Sequence, residues 1–172
     1  MPRDPLANAD QLLRRVYAYV AYRVRDRTDA EDLTSETFER ALRYTDTYDP
    51  RKGEPIAWLL GIARRCVYDA SLRPRHLSAQ PEPAIAGDIA GDVVARISLS
   101  DALESLSASD RELIALRYGS DLSAREIGRL LEMRTNAVEV ALSRARGRLR
   151  TALEGTSPAG EQRPARLADE PL

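Results

Sequence analysis

The chain has 172 residues, of which 43% are hydrophobic and 31% charged, so it can form one or two small folded domains. No apolar run approaches the length of a membrane span and residues 1–13 lack the apolar core of a signal peptide, which predicts a cytoplasmic protein without membrane insertion. A single cysteine, Cys66, and a single histidine, His76, provide no internal disulfide, metal cluster or catalytic set, so we expect no metal, cofactor or enzymatic activity.

The formal net charge is only −1, but charge is segregated along the chain. Residues 29–49 contain seven acidic and two basic side chains, and residues 81–112 contain the same numbers. Residues 50–80 contain six basic and two acidic side chains, and residues 133–150 contain five basic and one acidic. Two basic segments separated by acidic ones indicate more than one kind of partner, not a single surface for a polyanion.

The first two predicted helices differ in the character of their outer faces. The first covers about residues 6–25 and mixes apolar and basic side chains. The second is expected to begin at Thr28, since Glu31 stands three residues later at the spacing of a capping box. The outer face of the second helix is acidic, and it is either a solvated surface with pairs such as Glu36–Arg40 or a docking surface.

A turn-rich loop at residues 46–53 precedes a third helix, whose first residue we expect to be Pro55. Trp58 lies on the apolar side of this helix and is predicted to join the core. The outward side and its edge carry basic and aromatic residues: Arg64, Arg65 and Tyr68. Such interleaving beside a basic loop suits single-stranded nucleic acid, although the arginines could instead pair with acids of the second helix.

Proline and glycine interrupt residues 77–97, which predicts a flexible linker between two domains. We expect the second domain to begin at Ser98, with Ser109 and Glu112 forming another capping box. Residues 154–172 are rich in proline, glycine and charge and are predicted to be a disordered tail.

Residues 123–153 predict two helices joined by a tight turn. Ser123 and Glu126 form a capping box for the first, and Thr135 can cap the second after a three-residue turn. Apolar residues of the second helix recur at three- and four-residue steps and predict one buried stripe: Val138, Leu142, Ala145 and Leu149. The opposite face is small, polar and rich in arginine, which is typical of a helix-turn-helix that enters the major groove; an αα-hairpin with solvated arginines is the alternative.

Three ordered motifs carry a family resemblance. They are DAEDLTSETFERA at 29–41, AWLLGIARR at 57–65 and ALESLSASDRELIALRYGSDLSAREIGRLL at 102–131, followed by AVEVALSRARGRLR. With these motifs the chain resembles a bacterial RNA polymerase sigma factor of the extracytoplasmic-function (ECF, group IV) type. The resemblance implies an all-α fold with two small helical domains: region 2 at 1–76, the linker at 77–97, the helix-turn-helix region 4 at 98–153 and the tail at 154–172.

The resemblance also implies a set of protein partners. These are core RNA polymerase, through the β′ clamp helices and the β subunit, and an anti-sigma factor that holds the protein inactive. The acidic face of the second helix would dock on the clamp helices through Asp29, Asp32, Leu33, Glu36 and Glu39. In the linker, Asp88 and Asp92 would either mimic nucleic-acid charge in the polymerase cleft or be ordinary solvated acids.

Promoter DNA is the other implied partner, read at two separate elements. The loop and the third helix would capture unstacked bases of the minus-ten element with Tyr48, Arg51, Lys52, Arg64, Arg65 and Tyr68. The recognition helix would read the minus-thirty-five element with Arg134, Thr135, Asn136, Ser143, Arg144 and Arg146.

Three positions depart from the family pattern: Pro55 replaces a common aromatic, Arg65 a common asparagine, and residues 139–141 a common Lys-Ser-Arg. The implied function is that of a promoter-specificity factor that also helps to melt DNA for initiation. The alternatives are an autonomous dimeric helix-turn-helix regulator that binds palindromic operators, and an adaptor that binds only proteins.

Overall fold

In the computed structural model, residues 4–73, 83–85 and 93–156 are described, and their regular structure is helical apart from one isolated β-bridge. The described residues form seven α-helices, with a 3-10 turn at Thr45–Thr47 and a π-helical turn at Ala115–Gly119. The α-helices are α1 Ala9–Arg23, α2 Arg27–Arg43, α3 Pro55–Ser71, α4 Val93–Ser105, α5 Ala108–Ile114, α6 Ala124–Leu131 and α7 Thr135–Thr156.

The first domain is a bundle of α1, α2 and α3, in which each helix packs against the other two. Each helix contributes one apolar stripe, so the core forms where the three stripes meet. The most deeply buried side chains of this core include Val16, Tyr19, Leu59 and Leu60. Cys66 is a free thiol in the same core, where burial raises its pKa, in agreement with a structural thiol.

Two predicted helix starts were wrong because another polar residue nearby caps the helix. α2 begins at Arg27, where the Asp26 carboxylate accepts a hydrogen bond from the Thr28 amide at 2.8 Å. α5 begins at Ala108, because the Ser107 hydroxyl accepts from the Asp110 amide at 3.2 Å. A capping side chain accepts from an amide two or three residues ahead, so candidates this close in sequence compete for one helix end. The predicted start of α3 at Pro55 is confirmed.

The second domain contains α4 to α7, with α7 packed against α4, α5 and α6. Helix α4 begins at Val93, so residues 93–97 belong to a helix and not to the predicted linker. At the other end, α7 continues to Thr156, three residues beyond the predicted helix end. Several residues named in the sequence analysis lie outside the described residues: His76, Asp88 and Asp92. The same is true of most of the predicted tail.

The predicted helix-turn-helix is confirmed, except that Thr135 is the first residue of α7 and not the residue that precedes and caps it. The Ser123 hydroxyl and Glu126 carboxylate form both bonds of a capping box at the start of α6. Residues 132–134 make the turn, in which Glu132 adopts a left-handed conformation with φ 56°. A Cβ at Gly128 would lie 2.7 Å from the Met133 carbonyl oxygen, so only glycine allows the turn to close this tightly.

Part of the predicted flexible linker is held against the first domain. Pro83 forms an isolated antiparallel bridge with Asp26, and the Ala84 amide donates to the Arg25 carbonyl at 3.0 Å. The Tyr17 hydroxyl donates to the Ala84 carbonyl, also at 3.0 Å, and Ala84 and Ile85 are buried. Residues 83–85 are therefore anchored at the junction of α1 and α2.

The two domains pack directly on each other, mainly through α1 and the π-helical turn. The approach is close, because a Cβ at Gly119 would lie 2.9 Å from the Ala18 carbonyl oxygen. The Ser120 hydroxyl donates to the Arg15 carbonyl at 2.8 Å, and the Arg15 Nε donates back to the Ser120 carbonyl at 2.9 Å. Buried apolar side chains of both domains thus form one continuous cluster.

Among the described residues, no helix is both long and apolar enough to span a bilayer, and no group of three or more potential metal-ligating side chains comes together.

Candidate nucleic-acid interface

The outer face of α2 is acidic, as predicted, but it does not include all five predicted residues. Asp29, Asp32 and Glu39 are exposed. Glu36 is half-buried and pairs with Arg40, whose guanidinium also contacts Asp69 of α3 at 3.2 Å. Leu33, which the family resemblance placed among the docking residues, is 6% exposed and packs in the core, because it shares the apolar stripe of α2.

The loop before α3 is organised around two aromatic rings. The centroids of Tyr48 and Trp58 are 5.6 Å apart and the rings are tilted by 57°, a favourable edge-to-face geometry. The Trp58 Nε1 donates to the Thr47 hydroxyl at 3.2 Å, and the Tyr48 hydroxyl donates to the Gly53 carbonyl at 3.1 Å. Trp58, predicted as core, is therefore only partly buried, and it fixes the loop to α3.

The basic end of this loop has a local counter-charge. Arg51 is 89% exposed and makes a two-pronged pair with Asp49, with both distances 3.0 Å. The hydrogen bonds from Arg51 lower the pKa of the Asp49 carboxyl, so this carboxylate stays ionised near neutral pH. Lys52 is exposed beside the pair. The pair orients the Arg51 guanidinium at the tip of the loop.

The outward side of α3 presents its three predicted residues in different environments. Tyr68 is 58% exposed, and Arg65 is 73% exposed with its Nε 3.2 Å from Asp69 in the same helix. Arg64 is less accessible, since its Nε lies 2.8 Å from Glu112 of α5. The alternative that these arginines pair with acids of α2 is wrong, because their partners lie on α3 and α5.

The six predicted contacts on the recognition helix and its turn are all exposed on the outside of the second domain: Arg134, Thr135, Asn136, Ser143, Arg144 and Arg146. The predicted apolar stripe is confirmed, since Val138, Leu142 and Ala145 are each at most 8% exposed. Burial of this stripe fixes which face of α7 points to solvent. Polar and basic side chains consequently point to solvent along the first four turns of α7, a surface suited to a DNA groove.

Arg148, on the flank of the same helix, has a structural partner that sequence reasoning missed. Its Nη1 lies 2.9 and 2.8 Å from the two carboxylate oxygens of Asp110, which is 7% exposed. The pair joins α5 to α7. Because the two residues are 38 positions apart, no local spacing signals their contact.

Comparison with known proteins finds two family models that match the chain in succession. The family model for sigma-70 region 2 matches residues 9–76, and the model for sigma-70 region 4 matches residues 96–149. Together they cover most of the chain.

Full-length relatives are also similar. The ECF RNA polymerase sigma factor SigK of Mycobacterium ulcerans is 32% identical over 157 residues, covering 85% of this chain and 80% of SigK. RNA polymerase sigma factor CarQ of Myxococcus xanthus is 32% identical over 81% of this chain and 83% of CarQ. The ECF sigma factor BldN of Streptomyces coelicolor is 33% identical over 79% of this chain, and the match spans about half of BldN, 55%.

Solved structures share the fold. The sigma factor RpoE of Bartonella quintana, solved in complex with the anti-sigma factor NepR, has a TM-score of 0.65 at 22% identity, covering 86% of this chain and 94% of RpoE. CnrH, solved with the cytosolic domain of CnrY, has a TM-score of 0.62 at 23% identity, covering 88% of this chain and 86% of CnrH. With two sigma-70 region models in order and relatives above 30% identity along most of its length, the chain belongs to the ECF family of RNA polymerase sigma factors.

Proposed function

We propose that this chain binds core RNA polymerase and directs it to promoters with a minus-thirty-five and a minus-ten element. The observation that carries the proposal is the set of two basic, exposed surfaces on separate domains, together with an acidic face on α2. Opposite charges on separate faces fit partners of opposite charge. The family membership supports the same function.

The acidic face of α2 is proposed as the docking surface for the clamp helices of the polymerase β′ subunit. Asp29, Asp32 and Glu39 are exposed and Glu36 borders them, whereas Leu33 acts from the core by fixing the helix. Exposed acids affect the rate and specificity of association more than they affect the total affinity. A basic partner surface is therefore expected opposite this face.

The loop at residues 44–54 and the outward side of α3 are proposed to hold unstacked bases of the minus-ten element. Arg51, Lys52, Arg65 and Tyr68 are accessible for phosphate contact or stacking. Flipping a base costs a few kcal/mol, which stacking of about 1–3 kcal/mol per base can offset. Tyr48, already packed on Trp58, is proposed to support the loop or to extend the stack with one edge.

The recognition helix is proposed to read the minus-thirty-five element in the major groove. Arg144 and Asn136 are exposed on its outer face, and the bidentate pairs of arginine with guanine and asparagine with adenine are worth about 1–3 kcal/mol each. Residues 139–141 are Glu-Val-Ala, so the second turn of the helix is expected to favour apolar contact over phosphate contact. Val140, 51% exposed, suits the methyl group of a thymine.

Regulation by an anti-sigma factor and a cytoplasmic location are part of the proposal. RpoE of Bartonella quintana, which shares this fold, was solved in complex with the anti-sigma factor NepR. A protein that binds core polymerase and DNA is expected in the cytoplasm, because both partners are found there.

Transcription with purified core polymerase tests the proposed function. DNA that co-purifies with the reconstituted holoenzyme is sequenced, and the most enriched fragment is used as the template. We expect initiation at one position that requires both the chain and core polymerase. If the chain bound the same fragment as a dimer and core polymerase gained no initiation from it, the chain would be a free-standing regulator instead.

A further inference from the structure

Glu112, on α5 of the second domain, contacts three side chains of the first domain. The Tyr19 hydroxyl lies 3.1 and 3.0 Å from its two carboxylate oxygens. The Arg23 Nε lies 3.2 Å and the Arg64 Nε 2.8 Å from the same carboxylate. The Glu112 side chain is only 13% exposed, so the charge is held by these partners and not by water.

The contacts around Glu112 form a stable cluster. Tyr19 is fully buried, and burial together with the Glu112 carboxylate raises its pKa well above the ordinary value, so the hydroxyl keeps its proton and donates. A second set of contacts surrounds the cluster. Arg23 donates to the Ala108 carbonyl at 2.8 Å, and Arg25 pairs with Asp101 and Glu104 of α4.

The same contacts place the two DNA surfaces close together. The Arg64 Nη1 lies 3.5 Å from the Leu130 carbonyl oxygen, near the end of α6. Arg134 follows Leu130 by four residues, which span at most about 14 Å. By contrast, elements centred near minus thirty-five and minus ten are about 25 base pairs apart, or about 85 Å along B-form DNA. The domains must separate before each can reach its own element.

We propose that the packing of the second domain on the first through Glu112 is an autoinhibitory contact, which keeps the free chain closed and withholds Arg64 from DNA. The inference rests on the proposed promoter function. Closure lowers the apparent affinity for any partner that requires separated domains, because only the open fraction can bind. Binding to core polymerase then supplies the free energy that separates the domains.

Three variants of the full-length chain open the interface by different means. Glu112→Gln removes the charge at the centre of the cluster, and Tyr19→Phe removes one donor while it keeps the buried ring. Gly119→Ala places a methyl group 2.9 Å from the Ala18 carbonyl oxygen and so forces the domains apart without any change of charge. The matched controls are Glu154→Gln and Gly155→Ala on the last turns of α7, where a Cβ at Gly155 has no neighbour within 4 Å.

Small-angle X-ray scattering measures the closure, and titration with fluorescently labelled core polymerase measures its effect. We expect the controls to match the wild type, and the three interface variants to have a larger radius of gyration and a several-fold tighter apparent Kd. A closed population ten times the open one corresponds to a gain of about tenfold. Circular dichroism identifies any variant that unfolds. If one does, the scattering and binding data for Tyr19→Phe, the mildest change, decide the test.

Two results would overturn the autoinhibition. One is a wild-type chain whose radius of gyration already equals that of the interface variants. The other is expansion of the variants without any gain in affinity for core polymerase. The proposed function fails separately, if wild-type chain and core polymerase together give no initiation on the enriched template.

Discussion

At the scale of single residues, Arg144 is the side chain that we propose reads the DNA sequence most directly. It is exposed on the outer face of α7, while the buried stripe of Val138, Leu142 and Ala145 holds that face toward solvent. Arginine can donate two hydrogen bonds to one guanine, so this position can discriminate between bases and not only hold the backbone.

Arg144→Ala is expected to lower initiation on the enriched template by about 5- to 150-fold, which corresponds to the 1–3 kcal/mol of a bidentate contact. The measurement is run-off transcription at fixed salt with saturating core polymerase. Arg14→Ala, an exposed arginine of α1 away from the proposed interfaces, is the control and should leave initiation unchanged. Equal activity of the two variants would remove Arg144 from base recognition.

Asp110 acts through packing and not through DNA. Its nearly buried carboxylate accepts both short contacts from Arg148 and so ties α5 to the recognition helix. Asp110→Ala is expected to reduce the free energy of unfolding by about 1–3 kcal/mol, as urea denaturation would measure. Asp46→Ala, on an exposed turn, should change it little. Similar losses in both variants would mean that the pair adds no stability.

At the scale of elements, the helix ends explain both what was predicted and what was missed. The capping box of Ser123 and Glu126 was predicted correctly, because both partners lie within four residues and the side chain of each accepts a hydrogen bond from the backbone amide of the other. The expected box of Ser109 and Glu112 failed because Ser107 caps α5, which leaves Glu112 for the first domain.

Ser123→Ala is expected to destabilise the chain by about 1 kcal/mol, since it leaves an amide at the start of α6 without its partner. Ser109→Ala removes an exposed hydroxyl that caps no helix and contacts only the Ser107 hydroxyl, at 3.2 Å. It is the matched control and should have an effect of about a few tenths of a kcal/mol. Thermal unfolding of both variants measures the difference. A larger loss for Ser109→Ala would contradict the observed start of α5.

Glu126 makes the capping box sensitive to acid. Hydrogen bonds from the Ser123 hydroxyl and amide lower the pKa of Glu126 below its ordinary value of 4.5. A lowered pKa in the folded state means that the stabilisation is complete above pH 4.5 and is lost as the pH falls through the folded value. We expect Glu126→Gln to reduce stability at pH 7 but to approach the wild type in strong acid, as urea denaturation at several pH values would measure. A difference that does not change with pH would contradict this linkage.

At the scale of the whole molecule, we propose separate tasks for three surfaces: an acidic face on α2, a basic loop with α3, and the outer face of α7. The free chain brings the second and third close together through Glu112 and leaves the α2 face open. We therefore expect core polymerase to make its first contact with the closed chain.

Reversal of charge on the α2 face tests that first contact. The double variant Asp32→Lys with Glu39→Lys is expected to weaken binding to core polymerase at least tenfold and mainly to slow association, because exposed charges steer encounter. Asp10→Lys with Glu154→Lys changes the charge equally at exposed sites elsewhere and is the control. Stopped-flow association at two salt concentrations measures both. Unchanged association of the α2 variant would place the polymerase contact on another face.

The sequence by itself determined the all-α class, the start of α3, the helix-turn-helix and the buried stripe of α7. These depend on spacings of three or four residues, which local helix geometry sets. Only the tertiary structure decided that Trp58 supports a loop and that Glu112 joins the two domains. Those contacts pair residues far apart in the chain, and their geometry depends on how the helices pack, a property that no local pattern of residues encodes.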